Sequence, residues 1–319
     1  MLTGSLLDLF AVLIGNLINT MFPIAFHPIY KYPVPEAHRF PMDKYELLPM
    51  QLLREGLADQ SEFFSPTPVD MQAVYAVHDR EYADRFVQGK LSRKEMRRIG
   101  FEQTPLLADR ELRITNGTLQ GALKAFDTGI AFNIAGGTHH AGPDYGEGFC
   151  MINDQAVAAQ FLIDRKKVKQ VLIIDLDVHQ GNGTADIFSN QPRVFTFSMH
   201  GSNNFPFRKE KSDLDIPLAD RTGDQTYLQI LSDVLPKLVD QVKPDFIFYQ
   251  AGVDILHTDR IGRMACTQQG CRQRDEMVLH TAKKHGIPLQ CSMGGGYSPQ
   301  LRTILEAHTN TFRAASQIF

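Results

Sequence analysis

Asp177 and His179 are separated by one residue, so on an extended backbone both side chains leave the same face, and Asp175 shares that parity. A carboxylate and an imidazole on one face can share a divalent cation, and Asp254, from a later apolar stretch, could supply a third ligand. Three protein ligands with open positions is the arrangement of a catalytic rather than a structural metal. Read alone, the segment could equally be a loop that caps the next helix. Its setting is unusual, because Asp175 and Asp177 close a very apolar run, where two half-buried carboxylates repel unless cations compensate. His139 and His140 are adjacent in the glycine-containing segment 136–143. Imidazole can act as general base or general acid near neutral pH, and glycines let a backbone approach a ligand closely. Tyr297 follows Gly294, Gly295 and Gly296. It could place a phenol against a carbonyl oxygen that becomes negative, although three glycines and a tyrosine can also be only a tight turn.

The elements that must position these residues alternate from residue 130 onward. Strand-like runs at 130–135, 170–176, 194–199, 245–250 and 287–291 are separated by helical stretches at 152–164, 223–242, 267–284 and 299–315. This alternation predicts one α/β domain with a largely parallel sheet between helical layers. In such a sheet ligands bind beyond the C-terminal ends of the strands, and four of these runs end in the residues just named. Before residue 130 the pattern is mostly helical, at 44–56, 69–88 and 106–126, the last with a break expected near Asn116 and Gly117. The first strand-like run is 23–26.

With 33 Lys and Arg against 36 Asp and Glu, the net charge is −3, which argues against a protein that works by neutralising phosphates, so no direct nucleic-acid binding is expected. The basic run Arg93 to Arg98 reads as a solvated helix face. The four cysteines form no C-x-x-C pair and suit a reducing cytoplasm. Residues 5–18 are apolar but carry Asp8 and Asn16, with no basic residue before them and no small-residue cleavage site after them. They satisfy neither a signal peptide nor a membrane span, so 1–22 is expected to be a leader outside the fold, 23–319 a single catalytic domain, and Met21 an alternative start.

Taken in order, GGTHHAG, GFCMIND, DLDVHQGNG, QAGVD and GGGY resemble the histone deacetylase superfamily, over nearly the whole chain from residue 23. HQGNG and the opening 24–45 look most like the class IV deacetylases and their bacterial relatives. The resemblance implies an arginase-like three-layer α/β/α fold with a mostly parallel sheet of about eight strands. It implies zinc held by Asp177, His179 and Asp254, with His140 as general acid/base, His139 as its electrostatic neighbour supported by Asp175, and Tyr297 as oxyanion donor. Gly148, Phe149, Phe205 and Gly295 would line the substrate channel. Asp175, Asp177, His179, Ser198 and Met199 would surround a monovalent cation, usually potassium. Asn182 stands where class I members carry an acidic partner for the second histidine, so His140 is expected to have a lower pKa than a carboxylate-paired histidine. The implied activity is hydrolysis of an N-acyl amine, acyl-lysine in a protein being the first reading. A small acylated amine such as an acetylpolyamine and a non-catalytic acyl-lysine binding module are the alternatives. Gly181 stands where a manganese-pair hydrolase would carry a further aspartate, which favours a single zinc.

Overall fold

A computed structural model describes residues 22–319. The leader expectation falls outside these residues except at Phe22, and there it needs correction. Phe22 is buried and its N–H donates to Glu62 Oε1 at 2.6 Å, so the fold begins at least one residue earlier than expected.

Among the described residues eight short strands make one sheet: β1 (Ile24–Ala25), β2 (Phe63–Phe64), β3 (Ile130–Asn133), β4 (Val171–Asp175), β5 (Val194–Gly201), β6 (Leu214–Leu218), β7 (Phe246–Gln250) and β8 (Leu289–Ser292). Their order is β2-β1-β3-β8-β7-β4-β5-β6, and every neighbouring pair is parallel. The four central strands β3, β8, β7 and β4 are buried along their whole length, which is why β4 and β7 read as near-continuous apolar runs rather than alternating ones.

Among the described residues ten α-helices accompany the sheet: α1 (Lys44–Arg54), α2 (Met71–Val74), α3 (Arg80–Val87), α4 (Arg93–Ile99), α5 (Pro105–Thr128), α6 (Asp154–Asp164), α7 (Asn182–Phe188), α8 (Asp224–Val242), α9 (Gln268–His285) and α10 (Leu301–Ile318). They pack in groups, α5 with α6 on one hand and α8, α9, α10 and α1 in succession on the other. With the sheet between them they form the arginase-like α/β/α architecture. Side chains close the orphan N–H groups at several helix starts: Asn153 for α6, Thr267 for α9, Thr104 for α5 and a Ser92–Glu95 capping box for α4.

Two helical expectations are corrected. The stretch 69–88 divides into α2 and α3, because His78 between them is drawn inward to the loop after β3. The stretch around Asn116 and Gly117 does not break; α5 runs through it for 24 residues. Gly117 is there for space, since a Cβ would stand 2.6 Å from Tyr30 Oη and 3.0 Å from Ala25 Cβ. The small residue lets α5 approach β1 and the turn that follows it. The strands β2 and β6 had no counterpart in the sequence reading; β2 is two residues long and β6 is an edge strand with a half-exposed pattern.

Candidate active site

Parallel strands send all their C-terminal ends to one edge, and on that edge the ends of β3, β8, β7 and β4 stand side by side. Residues up to 158 positions apart in the chain (139 to 297) thus face one another.

Asp177, His179 and Asp254 are buried, and one ligand-type atom from each lies within 4.8 Å of the others. His179 Nδ1 stands 2.9 Å from Asp177 Oδ1 and 3.2 Å from Asp254 Oδ2. Most remaining carboxylate capacity is used by backbone: Asp177 Oδ2 accepts from Gly295 N, and Asp254 Oδ1 accepts from Val178 N. Asp254 Oδ2 is left without a hydrogen-bond partner although it is buried. Gly295 closes over the group; a Cβ there would strike Asp254 Oδ2 and stand 2.7 Å from Asp177 Oδ2. Burial and the negative charge of Asp177 push the Asp254 carboxyl up to about 7, and the two carboxylates outweigh burial to raise His179 to about 10. A cluster that pulls this hard on a proton, with an orphaned oxygen aimed inward, fits a divalent cation by its own donor set.

The histidine pair lies beside this group, its rings 4.1 Å apart. His139 Nδ1 donates to Asp175 Oδ2 at 2.7 Å. Burial opposes its charge, but Asp175 and Asp177 outweigh that and raise His139 to about 9. His140 Nδ1 donates to Asn182 Oδ1 at 2.7 Å, and Asn182 Nδ2 donates to Glu147 Oε1 at 2.7 Å. A carboxylate can only accept, so Glu147 fixes which end of the Asn182 amide meets the histidine. The proton of neutral His140 therefore sits on Nδ1, and Nε2 carries the lone pair. His140 is held well below the ordinary histidine range by burial, followed by the charges of His139 and His179; the hydrogen bond to Asn182 acts the other way and does not offset them.

Tyr297 contributes the opposite wall. Its backbone N–H donates to Asp259 Oδ2 at 2.6 Å, and Asp259 also accepts from Ile261 and Gly262. Burial and the charges of Asp254 and Asp177 raise the phenol well above its usual range, so it keeps its proton. A cleft of about 430 Å³ leads outward from His140, His179 and Tyr297 between Gly148, Phe149 and Phe205. Phe205 packs edge-on against His140, and Phe149 lies 6.1 Å from the Tyr297 ring. Gly148 has φ +56°, and a Cβ there would stand 2.7 Å from His140 Cδ2, so only glycine keeps this wall flat. A smaller space of about 40 Å³ lies on the inner side, lined by Phe40, Tyr45, Arg110, Ile114 and Cys150 with the site residues. Ser198 and Met199 lie outside the cleft, on β5; Ser198 stands level with Asp175 across the β4–β5 pair, and Met199 is buried.

Several residues support the site in roles that the sequence analysis did not assign, although Asp154 closes the GFCMIND motif and Lys44 lies in the opening segment. Asp154 accepts from Gly137 N, Thr138 N, Thr138 Oγ1 and Thr118 Oγ1, which anchors the loop bearing both histidines. Lys44 is buried, donates to Gly294 O at 2.7 Å beneath the glycine loop, and is lowered to about 8 by burial. His78 donates from Nδ1 to Gly142 O and accepts from Asn153 N. Glu147 acts only through Asn182 and Arg98.

Residues 38–312 match the Histone deacetylase domain family. The chain is 44% identical over 298 residues to an uncharacterized protein of Picosynechococcus sp., covering 93% of this chain and 99% of that one. It is 27% identical to Histone deacetylase 2 of Arabidopsis thaliana, covering 88% of this chain and 75% of the relative. It is 29% identical to a protein of Archaeoglobus fulgidus named "Probable deacetylase", covering 86% and 81%. Among solved structures the HDA15 HD domain superposes with a TM-score of 0.76 at 21% identity, over 92% of this chain and 95% of that one, a likeness of fold. Together with five motifs meeting at one sheet edge, these matches place the chain in the histone deacetylase family.

Proposed function

We propose that the protein is a zinc-dependent deacylase that hydrolyses N-acylated lysine. The observation that carries this is the pairing, at one sheet edge, of an acid-rich group with an orphaned inward oxygen (Asp254 Oδ2) and a histidine whose free nitrogen is fixed by Asn182 and Glu147. Asp177, His179 and Asp254 would hold the zinc, and position 181 carries a glycine where a manganese pair would draw a further aspartate. When bound, zinc supplies Lewis-acid polarisation of the acyl carbonyl and acidifies a water. His140 Nε2, kept neutral, takes the proton of the attacking water. The water oxygen bonds to the acyl carbon, the carbon–nitrogen bond breaks, and His140 returns the proton to the departing amine. His139, held as a cation by Asp175, adds positive field beside the reaction. Tyr297 donates its phenol proton as a hydrogen bond to the carbonyl oxygen as that oxygen becomes negative. Gly148, Phe149 and Phe205 flank the lysine stem.

Potassium is the second ion of this reading, held around Asp175, Asp177, His179, Ser198 and Met199. It is supported by the level pairing of Asp175 with Ser198 and by the burial of both carboxylates. The test is a fluorogenic acyl-lysine series with an acetylpolyamine alongside, using zinc-loaded protein in potassium and in sodium. Turnover on lysine substrates, lost in His140→Ala, supports the reading; turnover on the polyamine alone moves the substrate class. Zinc content gives a second readout: Asp254→Ala should lose stoichiometric zinc, and full retention would contradict the ligand set.

A further inference from the structure

The outer cleft carries a charge pattern that the proposed reaction does not use. Four arginines line it, Arg39, Arg97, Arg98 and Arg263, and among the described residues no aspartate or glutamate does. Two are partly neutralised from outside the cleft. Arg98 pairs with Glu147 at 2.5 Å, and Arg263 faces Asp220 at 3.3 Å. Arg39 and Arg97 are exposed, and among the described residues neither has a carboxylate within ion-pair distance. The run read from sequence as a solvated helix face thus presents two of its arginines to the mouth of the site.

These cations are fixed to the channel rather than scattered over the surface. The end of α4 is bonded to the channel wall: Gly148 N donates to Arg98 O, and Phe149 N donates to Ile99 O. The loop carrying Arg39 is tied to the same point, since His38 Nε2 bonds Gly100 O and the His38 ring stacks on Phe101. Across the mouth stands Phe207, which is 86% exposed, with its ring against Phe205. The whole chain has a net charge of −3, so the cationic rim is a local reversal of sign. A surface of this kind draws anionic groups toward the opening and repels cations.

We propose that the rim selects acyl-lysine flanked by acidic residues, with Arg39 and Arg97 as the specificity-determining residues, and that it disfavours acetylpolyamines and lysine-rich segments. The proposal rests on the deacylase reading and names its substrate class. A peptide laid across the mouth would set its acyl-lysine stem between Phe149 and Phe205 and its neighbouring carboxylates against the two arginines that lack partners.

The experiment uses three Nε-acetyl-lysine peptides, flanked by Asp and Glu, by Ala, or by Lys and Arg, together with free Nε-acetyl-lysine and an acetylpolyamine. Turnover is measured with zinc-loaded protein at low and high salt. Binding of the same labelled peptides to zinc-loaded His140→Ala protein is followed by fluorescence anisotropy. The acidic peptide should exceed the basic one by about tenfold in kcat/KM at low salt, shrinking toward parity as salt screens the rim. In the double variant Arg39→Glu/Arg97→Glu the order of the two peptides should reverse. Turnover without flank preference overturns the rim and leaves the deacylase reading standing. Flank-dependent binding with no turnover of any peptide overturns the deacylase reading and leaves the rim. A preference for free Nε-acetyl-lysine over every peptide, or for the polyamine, overturns the proposal.

Discussion

The phenol of Tyr297 keeps its proton because burial and two neighbouring carboxylates oppose its ionisation, and its backbone is held by Asp259. On the proposed reading, that retained proton would be the one offered to a developing oxyanion. Tyr297→Phe should therefore lower kcat by on the order of 10²–10³ while zinc content is unchanged. An unaltered kcat would remove the phenol from the mechanism. At this scale the sequence was informative wherever a residue's own neighbours define its role. Asp175, Asp177 and His179 could be read because they close a buried apolar strand, although β4 ends at Asp175 and the other two stand in the bend beyond it rather than on one strand face, and His139-His140 because they follow a buried run. Glu147 could not be read, since it is a carboxylate in a loop like many others until Asn182, 35 residues away, is folded against it. Lys44 and Asp154 are illegible for the same reason: each is defined by the backbone groups of a distant loop.

Elements show a similar division. Long apolar or periodic segments such as β4, β7, α8 and α9 were placed within a residue or two, because their burial is written in local pattern. The division of 69–88 was missed because it depends on His78, whose two ring nitrogens are both committed inside the protein. Those contacts give His78 a measurable signature. Burial lowers it to about 4, whereas an unfolded histidine titrates near its usual 6.5. The unfolded chain therefore binds the proton first, and this group's stability contribution is complete above pH 6.5. It is lost as the pH falls toward 4, by up to about 3 kcal/mol. Urea unfolding of the native protein between pH 7 and pH 4.5 should show a steeper loss of stability than that of His78→Gln. Parallel curves for the two proteins would show that His78 is not buried in its neutral form.

At the level of the whole molecule, the site depends on a strand order that no local pattern encodes. β8 is last in the chain yet lies between β3 and β7, and this insertion brings Tyr297 to the group held by β4 and β7. On the proposed reading, the same assembly would limit the acyl group, whose far end would enter the inner space. The inner space of about 40 Å³ has room for roughly three water molecules. Acetyl and propionyl should therefore be cleaved at least about tenfold more efficiently than octanoyl, because forcing extra methylenes into a packed wall strains it. A myristoyl preference in the same series would show that the wall opens. The assembly also places Asp177 and Asp254 together in the interior, a conflict visible in the upward displacement of Asp254 to about 7. Each tolerates the other best with a cation between them, so ion binding and folding should be coupled. At free zinc near 100 times its Kd, the bound ion adds about 2.7 kcal/mol to the native state. A chelator should accordingly lower the melting temperature of zinc-loaded protein by a few degrees, zinc should restore it, and Asp254→Ala should respond to neither. Identical melting curves with and without chelator, in protein verified to carry zinc beforehand, would mean that the three ligands do not hold the ion.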